Sequence, residues 1–220
     1  MDMIPGLYGS TIGKKILMAV TGIVLFLFVF VHMIGNLQIF LGAEHINRYA
    51  HFLHEGGLEI VLITRAVLAA CIIVHIIAAF QVWLRNRGAR PVKYRVKVDA
   101  GVTYAAKTMV WSGPVILAFI VYHLMHLTAG TVLQQHFVEG DVYHNVIASF
   151  QLWPVAAGYI VANMLLAFHL YHGLWSLFQT LGLSHPRFNL GRRLFAVVIS
   201  LVIAVGNISI PVSVLAGWIR

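Results

Sequence analysis

Charged side chains are scarce in this sequence. Asp, Glu, Lys and Arg together make up only 10% of its 220 residues, against roughly a quarter in an average soluble domain. Hydrophobic residues account for 60% of the chain. A soluble fold of this size has too little interior to bury that much apolar surface. Composition therefore excludes a soluble globular protein, a nucleic-acid-binding protein and a disordered chain, and predicts a protein embedded in a lipid bilayer.

Cysteine is nearly absent as well. Cys71 is the single cysteine, so an internal disulfide is excluded, and without a C-x-x-C-H motif a c-type haem attachment is excluded too. The sequence contains no repeat of 20–50 residues and no low-complexity linker, which predicts one domain over residues 1–220.

Five apolar runs are long enough to cross a membrane. Each would allow a tilted helical crossing of a hydrocarbon core about 30 Å thick, and runs of this length are typical of helices, not of barrel strands. The first run is too long for a cleaved signal peptide. We predict an all-α membrane protein with five transmembrane helices, at residues 16–41, 58–84, 109–132, 152–177 and 194–219.

Lysine and arginine are strongly segregated along the chain. Twelve of the fifteen fall in the segment up to residue 15, in the loop 85–107 and in the loop 187–193. The remaining loops carry most of the carboxylates. The positive-inside rule then predicts a cytoplasmic N-terminus for a multi-pass protein of the cytoplasmic (inner) cell membrane. The basic side also suits the docking of a soluble partner.

Six histidines fall inside the apolar runs. An ionisable group in hydrocarbon is costly and usually functional, although a helix–helix hydrogen bond would explain a single one. One or two in each of the first four runs and none in the fifth favour a shared site. The six are His32, His75, His123, His126, His169 and His172.

Four of these histidines fall at two depths. At a rise of 1.5 Å per residue, His32 and His123 lie about 24–26 Å from the cytoplasmic ends of their helices, whereas His75 and His169 lie about 15 Å from theirs. A haem iron binds one imidazole on each face, and helices facing each other in a bundle can supply both. The pattern predicts two stacked bis-histidine haems in a bundle formed by the first four helices.

The assignment of the ligands is ambiguous by one helical turn. His126 follows His123 by three residues and His172 follows His169 by three, so either member of each pair lies on the same helix face. An H-x-x-H pair also suits a metal ion, but no carboxylate in these runs would complete such a site.

Four stretches of the sequence resemble the helices of one family of membrane anchors. GKKILMAVTGIVLFLFVFVHMIGNLQIF (13–40) is similar to the first helix of that family, and FHLYHGLWSLFQTLG (168–182) to its fourth. IIVHIIAAFQVW (72–83) and IVYHLMHLTAG (120–130) are similar to its second and third helices. The family is the cytochrome b558-type, dihaem, single-anchor subunit of succinate dehydrogenase and fumarate reductase, and the resemblance implies two haem b groups. The resemblance covers most of the chain and is weakest in the outer loops and the fifth helix.

The resemblance implies an electron-transfer subunit of complex II that is not an enzyme on its own. It implies a flavoprotein subunit and an iron–sulfur subunit on the cytoplasmic side, and exchange of electrons with a membrane quinone, typically menaquinone. Carried over motif by motif, the axial ligands are His32, His75, His123 and His169. His126 and His172 are left as residues that contact a ligand histidine or a haem propionate. Arg65 would pair with a propionate or snorkel to the surface.

Two places are candidates for the quinone. His51, His54 and Glu55 lie at the outer end of the second helix, where such groups can exchange the protons that accompany electrons; a wet acidic loop explains them equally well. Ser10 and Lys14 mark a second candidate at the inner face.

The same sequence features would also fit two other functions: the dihaem anchor of another quinone-linked dehydrogenase, and a transporter with a histidine proton relay.

Overall fold

The structure is a computed structural model that describes residues 9–89 and 104–220. Over these ranges the chain is helical and contains no strand. These two ranges contain seven α-helices: α1 (Thr11–Asn36), α2 (Ala43–His51), α3 (Leu58–Gly88), α4 (Tyr104–His123), α5 (Val142–Phe150), α6 (Trp153–Thr180) and α7 (Asn189–Leu215). Single turns of 3₁₀ helix follow at Leu37–Leu41, Gln134–His136 and Pro186–Phe188, and π-helical turns at Phe52–Gly56 and Leu124–Thr128.

In the described part of the chain, five helical segments are long and apolar enough to cross a membrane. They are Thr11–Leu41, Leu58–Gly88, Lys107–Thr128, Trp153–Thr180 and Pro186–Leu215. The predicted number of spans and the all-α class are confirmed. The ends differ by up to eight residues, mainly because charged residues continue the helices beyond their apolar runs. Arg85 and Arg87, for example, lie in the last turn of α3, where positive charge stabilises the negative end of the helix dipole.

Helix α6 lies at the centre of the bundle. It packs against α7, α4 and α1, and α1 packs in turn along α3. The α1–α3 pair is antiparallel, because Lys14 near the start of α1 contacts Gln81 near the end of α3, with Nζ 2.5 Å from Oε1. Helix α3 buries only Ala78 and Val82. Its exposed apolar side chains are what a helix in contact with lipid requires, in agreement with a multi-pass membrane protein.

The two ends of the bundle have different charge. We call the end where α1 and α4 begin and α3 and α6 end the basic end. Its described basic residues are Lys14, Lys15, Arg85, Arg87, Lys107, Arg187, Arg192 and Arg193. Arg90, Lys93, Arg95 and Lys97, which the sequence assigns to the same side, lie outside the described residues.

The opposite end carries the short helices α2 and α5, and we call it the capped end. The Asn47 side-chain amide donates to Asp141 Oδ1 at 2.9 Å and its carbonyl accepts from the backbone N–H of Tyr143 at 3.0 Å. Asp141 also caps α5 by accepting the His144 backbone N–H at 2.9 Å. These bonds lower the pKa of the Asp141 carboxyl, the His144 N–H most and the Asn47 amide next. The hydrogen bonds of Asn47 with Asp141 and Tyr143 thus hold α2 and α5 together.

The bundle is packed around two apolar clusters. One joins α2 and α5 to the ends of α6 and α7, and is built around Ile39, Ile46, Phe150, Tyr159 and Ile210. The other joins α1, α6 and α7 through Met33, Leu170 and Ile203. Helix α3 and most of α4 contribute to neither set of buried residues. The two elements that carry His75 and His123 are therefore held mainly by contacts with single neighbouring helices.

Candidate cofactor site

Two histidines face each other near the capped end. His32 on α1 and His123 at the end of α4 have ring centroids 5.9 Å apart, with ring planes at 88°. Phe28 stacks on the His32 ring with centroids 5.3 Å apart, and Phe119 packs against His123 at 5.8 Å. We call His32 and His123 the capped-end pair.

A second pair faces each other nearer the basic end. His75 on α3 and His169 on α6 have ring centroids 6.3 Å apart, with ring planes at 54°. We call them the basic-end pair. The structure thus brings together the same partners that depth along the helices predicted.

The separation within each pair suits one metal ion between two imidazoles. With metal–nitrogen bonds of about 2.0–2.1 Å, two rings on opposite sides of an ion have their centroids roughly 6 Å apart. Both measured separations are close to this value. Residues 9–89 and 104–220 contain no cluster of three or more His, Cys, Asp or Glu side chains that could hold a bare metal ion. Two imidazoles suffice only if another group, such as a porphyrin, supplies the remaining ligands.

The hydrogen bonds of His75 leave one ring nitrogen available. Its Nδ1 lies 3.1 Å from the Met18 carbonyl oxygen and 3.2 Å from Thr21 Oγ1. A carbonyl can only accept, and the Thr21 hydroxyl already donates to Leu17 O at 2.7 Å. His75 Nδ1 therefore carries the proton, and Nε2 keeps its lone pair for a metal. This is the arrangement that ligating histidines adopt.

His169 has a similar neighbour. Its Nδ1 lies 3.5 Å from the hydroxyl oxygen of Ser112, which is buried on α4. Thr21 precedes His32 by eleven residues on α1, and Ser112 precedes His123 by eleven on α4. Eleven residues are close to three full turns, so each helix presents a hydroxyl and a histidine on one face, about 16 Å apart. The hydroxyl of each helix contacts the basic-end histidine of another helix.

His126 differs from His123 because both of its ring nitrogens are bonded. It is 2% exposed; Nδ1 lies 2.9 Å from the Tyr159 hydroxyl and Nε2 lies 2.8 Å from Ser149 Oγ. His123 contacts the same Tyr159 hydroxyl through Nδ1 at 3.4 Å, which leaves its Nε2 for a ligand. The geometry favours His123 over His126 as the ligand.

The two remaining candidates for haem contacts lie in different surroundings. His172, one turn beyond His169, has a buried Nδ1 for which the described residues provide no hydrogen-bond partner. Arg65 is exposed on α3, ten residues before His75 and thus about 15 Å closer to the capped end. Arg65 therefore lies near the depth of the capped-end pair.

The predicted outer quinone residues cluster where α2 ends and the π-helical turn before α3 begins: His51 is the last residue of α2, and His54 and Glu55 lie on the turn. His51 Nε2 lies 3.1 Å from Glu55 Oε1, and both side chains are about 70% exposed. His54 Nδ1 lies 2.8 Å from the Ala50 carbonyl oxygen. These residues share the capped end with the His32–His123 pair.

The inner candidates are part of the start of α1. Ser10 is the N-cap of α1 and accepts the Gly13 backbone N–H at 2.9 Å. Lys14 is 5% exposed, and its bond to Gln81 joins α1 to α3. Both residues have structural roles there.

Four polar residues around the histidines were not identified from the sequence: Thr21, Ser112, Ser149 and Tyr159. Hydroxyl groups are common in membrane helices, and they carry no signal alone. Thr21 and Ser112 could have been identified from the sequence, because each lies eleven residues before a histidine of the capped-end pair, His32 or His123. Tyr159 and Ser149 required knowledge of which helices pack together.

Comparison with models of protein families, with curated proteins and with solved structures found no match.

Proposed function

We propose that this chain is the dihaem cytochrome b membrane anchor of a succinate:quinone oxidoreductase, passing electrons between an iron–sulfur subunit and a membrane quinone. The observation that carries the proposal is the pair of facing imidazoles at each of two depths, His32 with His123 and His75 with His169. Two bis-histidine haems at these depths form a path for electrons along the bundle.

Each haem iron, when bound, supplies a carrier that takes up and releases one electron. The protein holds the haem, sets its orientation and excludes water. The bonded Nδ1 of His75 supports this role, because the hydrogen bonds keep the ring in the tautomer that presents Nε2 to a metal. Arg65 and His172 are proposed partners of haem propionates, His172 because its buried Nδ1 has no hydrogen-bond partner among the residues that the structure describes.

The choice of succinate:quinone oxidoreductase rests on the four sequence motifs. The same two imidazole pairs would serve a dihaem anchor of another quinone-linked dehydrogenase. A proton-relay transporter is disfavoured, because the four histidines face each other in two separate pairs, and the Nδ1 atoms of His75, His123 and His169 contact hydroxyl or carbonyl groups of neighbouring helices. The soluble partners therefore decide between the two anchors.

The basic end is proposed to face the cytoplasm and to dock the soluble subunits. Its arginines and lysines satisfy the positive-inside rule, and a positive surface attracts an acidic partner. The iron–sulfur subunit would bind there, nearest the His75–His169 pair, and the flavoprotein subunit would bind to it. The protein would then be a multi-pass protein of the cytoplasmic membrane.

The quinone, proposed to be menaquinone, would react at the capped end. A quinone bound there would lie near His32 and His123, which would hold the capped-end haem, and Glu55 and His54 can exchange the protons of quinone chemistry with water because both are exposed. His51 would assist through its contact with Glu55. The alternative site, at Ser10 and Lys14, lies at the basic end.

The haem assignment is tested on the purified chain. We expect about two haems b per chain, with a b-type optical band on reduction. A colourless preparation from haem-sufficient cells would overturn the proposal. If haem is bound, purification from the native membrane identifies the partners: a flavoprotein and an iron–sulfur subunit with succinate-dependent quinone reduction are expected, and formate- or hydrogen-dependent activity would favour the other anchor.

The quinone assignment is tested with Glu55→Gln. Quinone-linked turnover should fall steeply, whereas haem content and succinate oxidation with an artificial acceptor should stay normal. Glu59→Gln, four residues further along and also exposed, is the matched control. Unchanged quinone turnover in Glu55→Gln would remove Glu55 from the site and favour Ser10 and Lys14.

A further inference from the structure

A chain of buried polar side chains begins at His123 and ends on α5. The Tyr159 hydroxyl lies 3.4 Å from His123 Nδ1 and 2.9 Å from His126 Nδ1, and His126 Nε2 lies 2.8 Å from Ser149 Oγ. Tyr159, His126 and Ser149 are 5%, 2% and 3% exposed. Buried polar groups in an apolar bundle are costly unless each finds a partner. We call these three residues the Tyr159 relay.

If His123 binds a metal through Nε2, the donor and the acceptor of every hydrogen bond in the relay are determined. Ligation uses the Nε2 lone pair, so the proton of the neutral ring lies on Nδ1. His123 Nδ1–H then donates to the Tyr159 oxygen. The Tyr159 hydroxyl is left to donate to His126 Nδ1, and His126 Nε2–H donates to Ser149 Oγ. Tyr159 and His126 then each use one donor and one acceptor, and Ser149 accepts the last bond, without conflict.

The tyrosine is held in place by packing. Its ring lies edge-on between Phe119 and Phe150, with centroids 5.0 and 4.8 Å away. His126 sits on the π-helical turn Leu124–Thr128, and such turns re-aim side chains, often at functional sites. Helix α4, which carries His123, packs against few neighbours among the described helices. The relay links His123 to α5 and α6 and so ties the end of α4 to the rest of the bundle.

We infer that Tyr159, oriented by His126 and Ser149, is a positioning residue that holds the His123 imidazole as an axial ligand and strengthens its electron donation to the capped-end haem iron. The inference rests on the proposed dihaem function and adds to it. A hydrogen bond from the far nitrogen of a ligating histidine fixes the ring and raises its basicity. A more basic ligand stabilises the ferric state, so the relay lowers the midpoint potential of this haem.

The test is a potentiometric titration of both haems in the purified complex with Tyr159→Phe. We expect both haems to be present, the capped-end haem to titrate at a higher potential and the basic-end haem to be unchanged. A tenfold loss of preference for the ferric state would appear as about 59 mV. The low-spin ferric signal of the same haem in electron paramagnetic resonance should also shift, because it responds to the relative orientation of the two imidazole planes.

Two matched variants give the test its specificity. Tyr143→Phe makes the same chemical change at a hydroxyl that donates to Arg220 O at 3.0 Å on the capped end, and it should change neither haem. Ser112→Ala removes the hydroxyl beside His169 and should shift the basic-end haem only. A Tyr159→Phe protein with both potentials and both signals unchanged, or with the basic-end haem shifted instead, would overturn the inference.

A second pair of variants tests the inference if the Tyr159→Phe protein accumulates poorly. His126→Leu removes the acceptor of the Tyr159 hydroxyl, whereas His126→Gln retains a side chain that can bond to it. The capped-end potential should rise in His126→Leu and return toward the wild-type value in His126→Gln. Equal potentials in the two variants and the wild type would overturn the inference. The haem content of the wild-type protein tests the dihaem proposal separately, because it does not depend on any variant.

Discussion

At the scale of single residues, His123 and His126 show how one turn of helix separates two chemical roles. They are three residues apart, yet both nitrogens of His126 bond to protein hydroxyls, whereas the contact of His123 uses only Nδ1. A metal ligand needs a free lone pair, and the bonds of His126 leave it none. The same criterion selects His75, whose Nδ1 faces the Met18 carbonyl.

The first prediction follows from this difference. His123→Ala should lose the capped-end haem, because one of its two axial ligands is removed, and should keep the basic-end haem. His126→Ala should retain both haems at saturating supply. Haem per chain, measured on detergent-purified protein, distinguishes the two. Retention of both haems in His123→Ala together with loss of one in His126→Ala would move the ligand by one turn.

The second prediction concerns Asp141, which caps α5 and bonds to Asn47. Asp141→Ala should destabilise the protein by about 1 kcal/mol, as loss of an N-cap does. Because the pKa of this carboxyl is lowered in the folded protein, its contribution is complete above the unfolded pKa of about 3.9 and is lost as the pH falls through the folded pKa. The unfolding midpoints of wild type and variant should converge only in that acidic range.

Glu139→Ala provides the control for Asp141, because Glu139 is an exposed carboxylate two residues away. Its unfolding midpoint should match the wild type at every pH. A difference between Asp141→Ala and wild type that stayed constant down to pH 2 would show that the ionised carboxylate contributes nothing.

At the scale of helices, the packing of α1 against α7 depends on a small residue. A Cβ atom at Gly206 would lie 2.4 Å from Met33 Sδ and 2.9 Å from its Cγ, and Met33 is 3% exposed. Small residues allow membrane helices to approach closely. The contact therefore sets how near α7, which carries no histidine, can lie to the helix that carries His32.

The third prediction compares two glycines in the bundle. Gly206→Ala should overpack this contact and destabilise the protein by about 1–3 kcal/mol. Gly158→Ala on α6 should leave stability unchanged or slightly raised, because no heavy atom of the described residues lies within 4 Å of its added Cβ and alanine favours a helix more than glycine does. Thermal unfolding midpoints in detergent test both. An equal loss in the two variants would attribute the effect to glycine replacement in general, not to the α1–α7 contact.

At the scale of the whole molecule, the charged ends determine how the bundle is expected to sit in the membrane. The described basic residues concentrate at the end where α1 begins, whereas α2 and α5 cover the other end with bonded polar groups such as Asn47 and Asp141. The positions of the two histidine pairs relative to these ends then decide which haem would receive electrons from a soluble partner.

The fourth prediction is the orientation and its docking surface. In a Cys71→Ser background, Lys15→Cys should react with a membrane-impermeant maleimide only from the cytoplasmic side, and His144→Cys only from the opposite side. Both positions are exposed. Labelling of His144→Cys from the cytoplasm would reverse the topology.

The docking surface is tested with Arg87→Cys at the end of α3. This cysteine should be shielded in the intact complex and labelled in the isolated anchor. Equal labelling with and without the soluble subunits would contradict docking there.

The sequence by itself determined the class, the five spans and the pairing of the histidines by depth. Apolar run length sets the number of crossings, and a constant rise per residue converts position into depth in any membrane helix. Both are local properties that do not depend on which helices touch. The spacing alone could not choose between His123 and His126 as the ligand, because residues three apart share a helix face.

Tertiary structure alone decided which groups complete each site. Tyr159 lies thirty-six residues from His123, and Thr21 lies fifty-four from His75, so no spacing along one helix predicts either contact. The boundaries of the helices and the two short helices of the capped end depended likewise on charge at the ends and on packing between segments. Helix–helix contacts, not the hydrophobic pattern, assign the partners of Tyr159, His126 and Ser149, because these buried polar groups find their donors and acceptors on other elements.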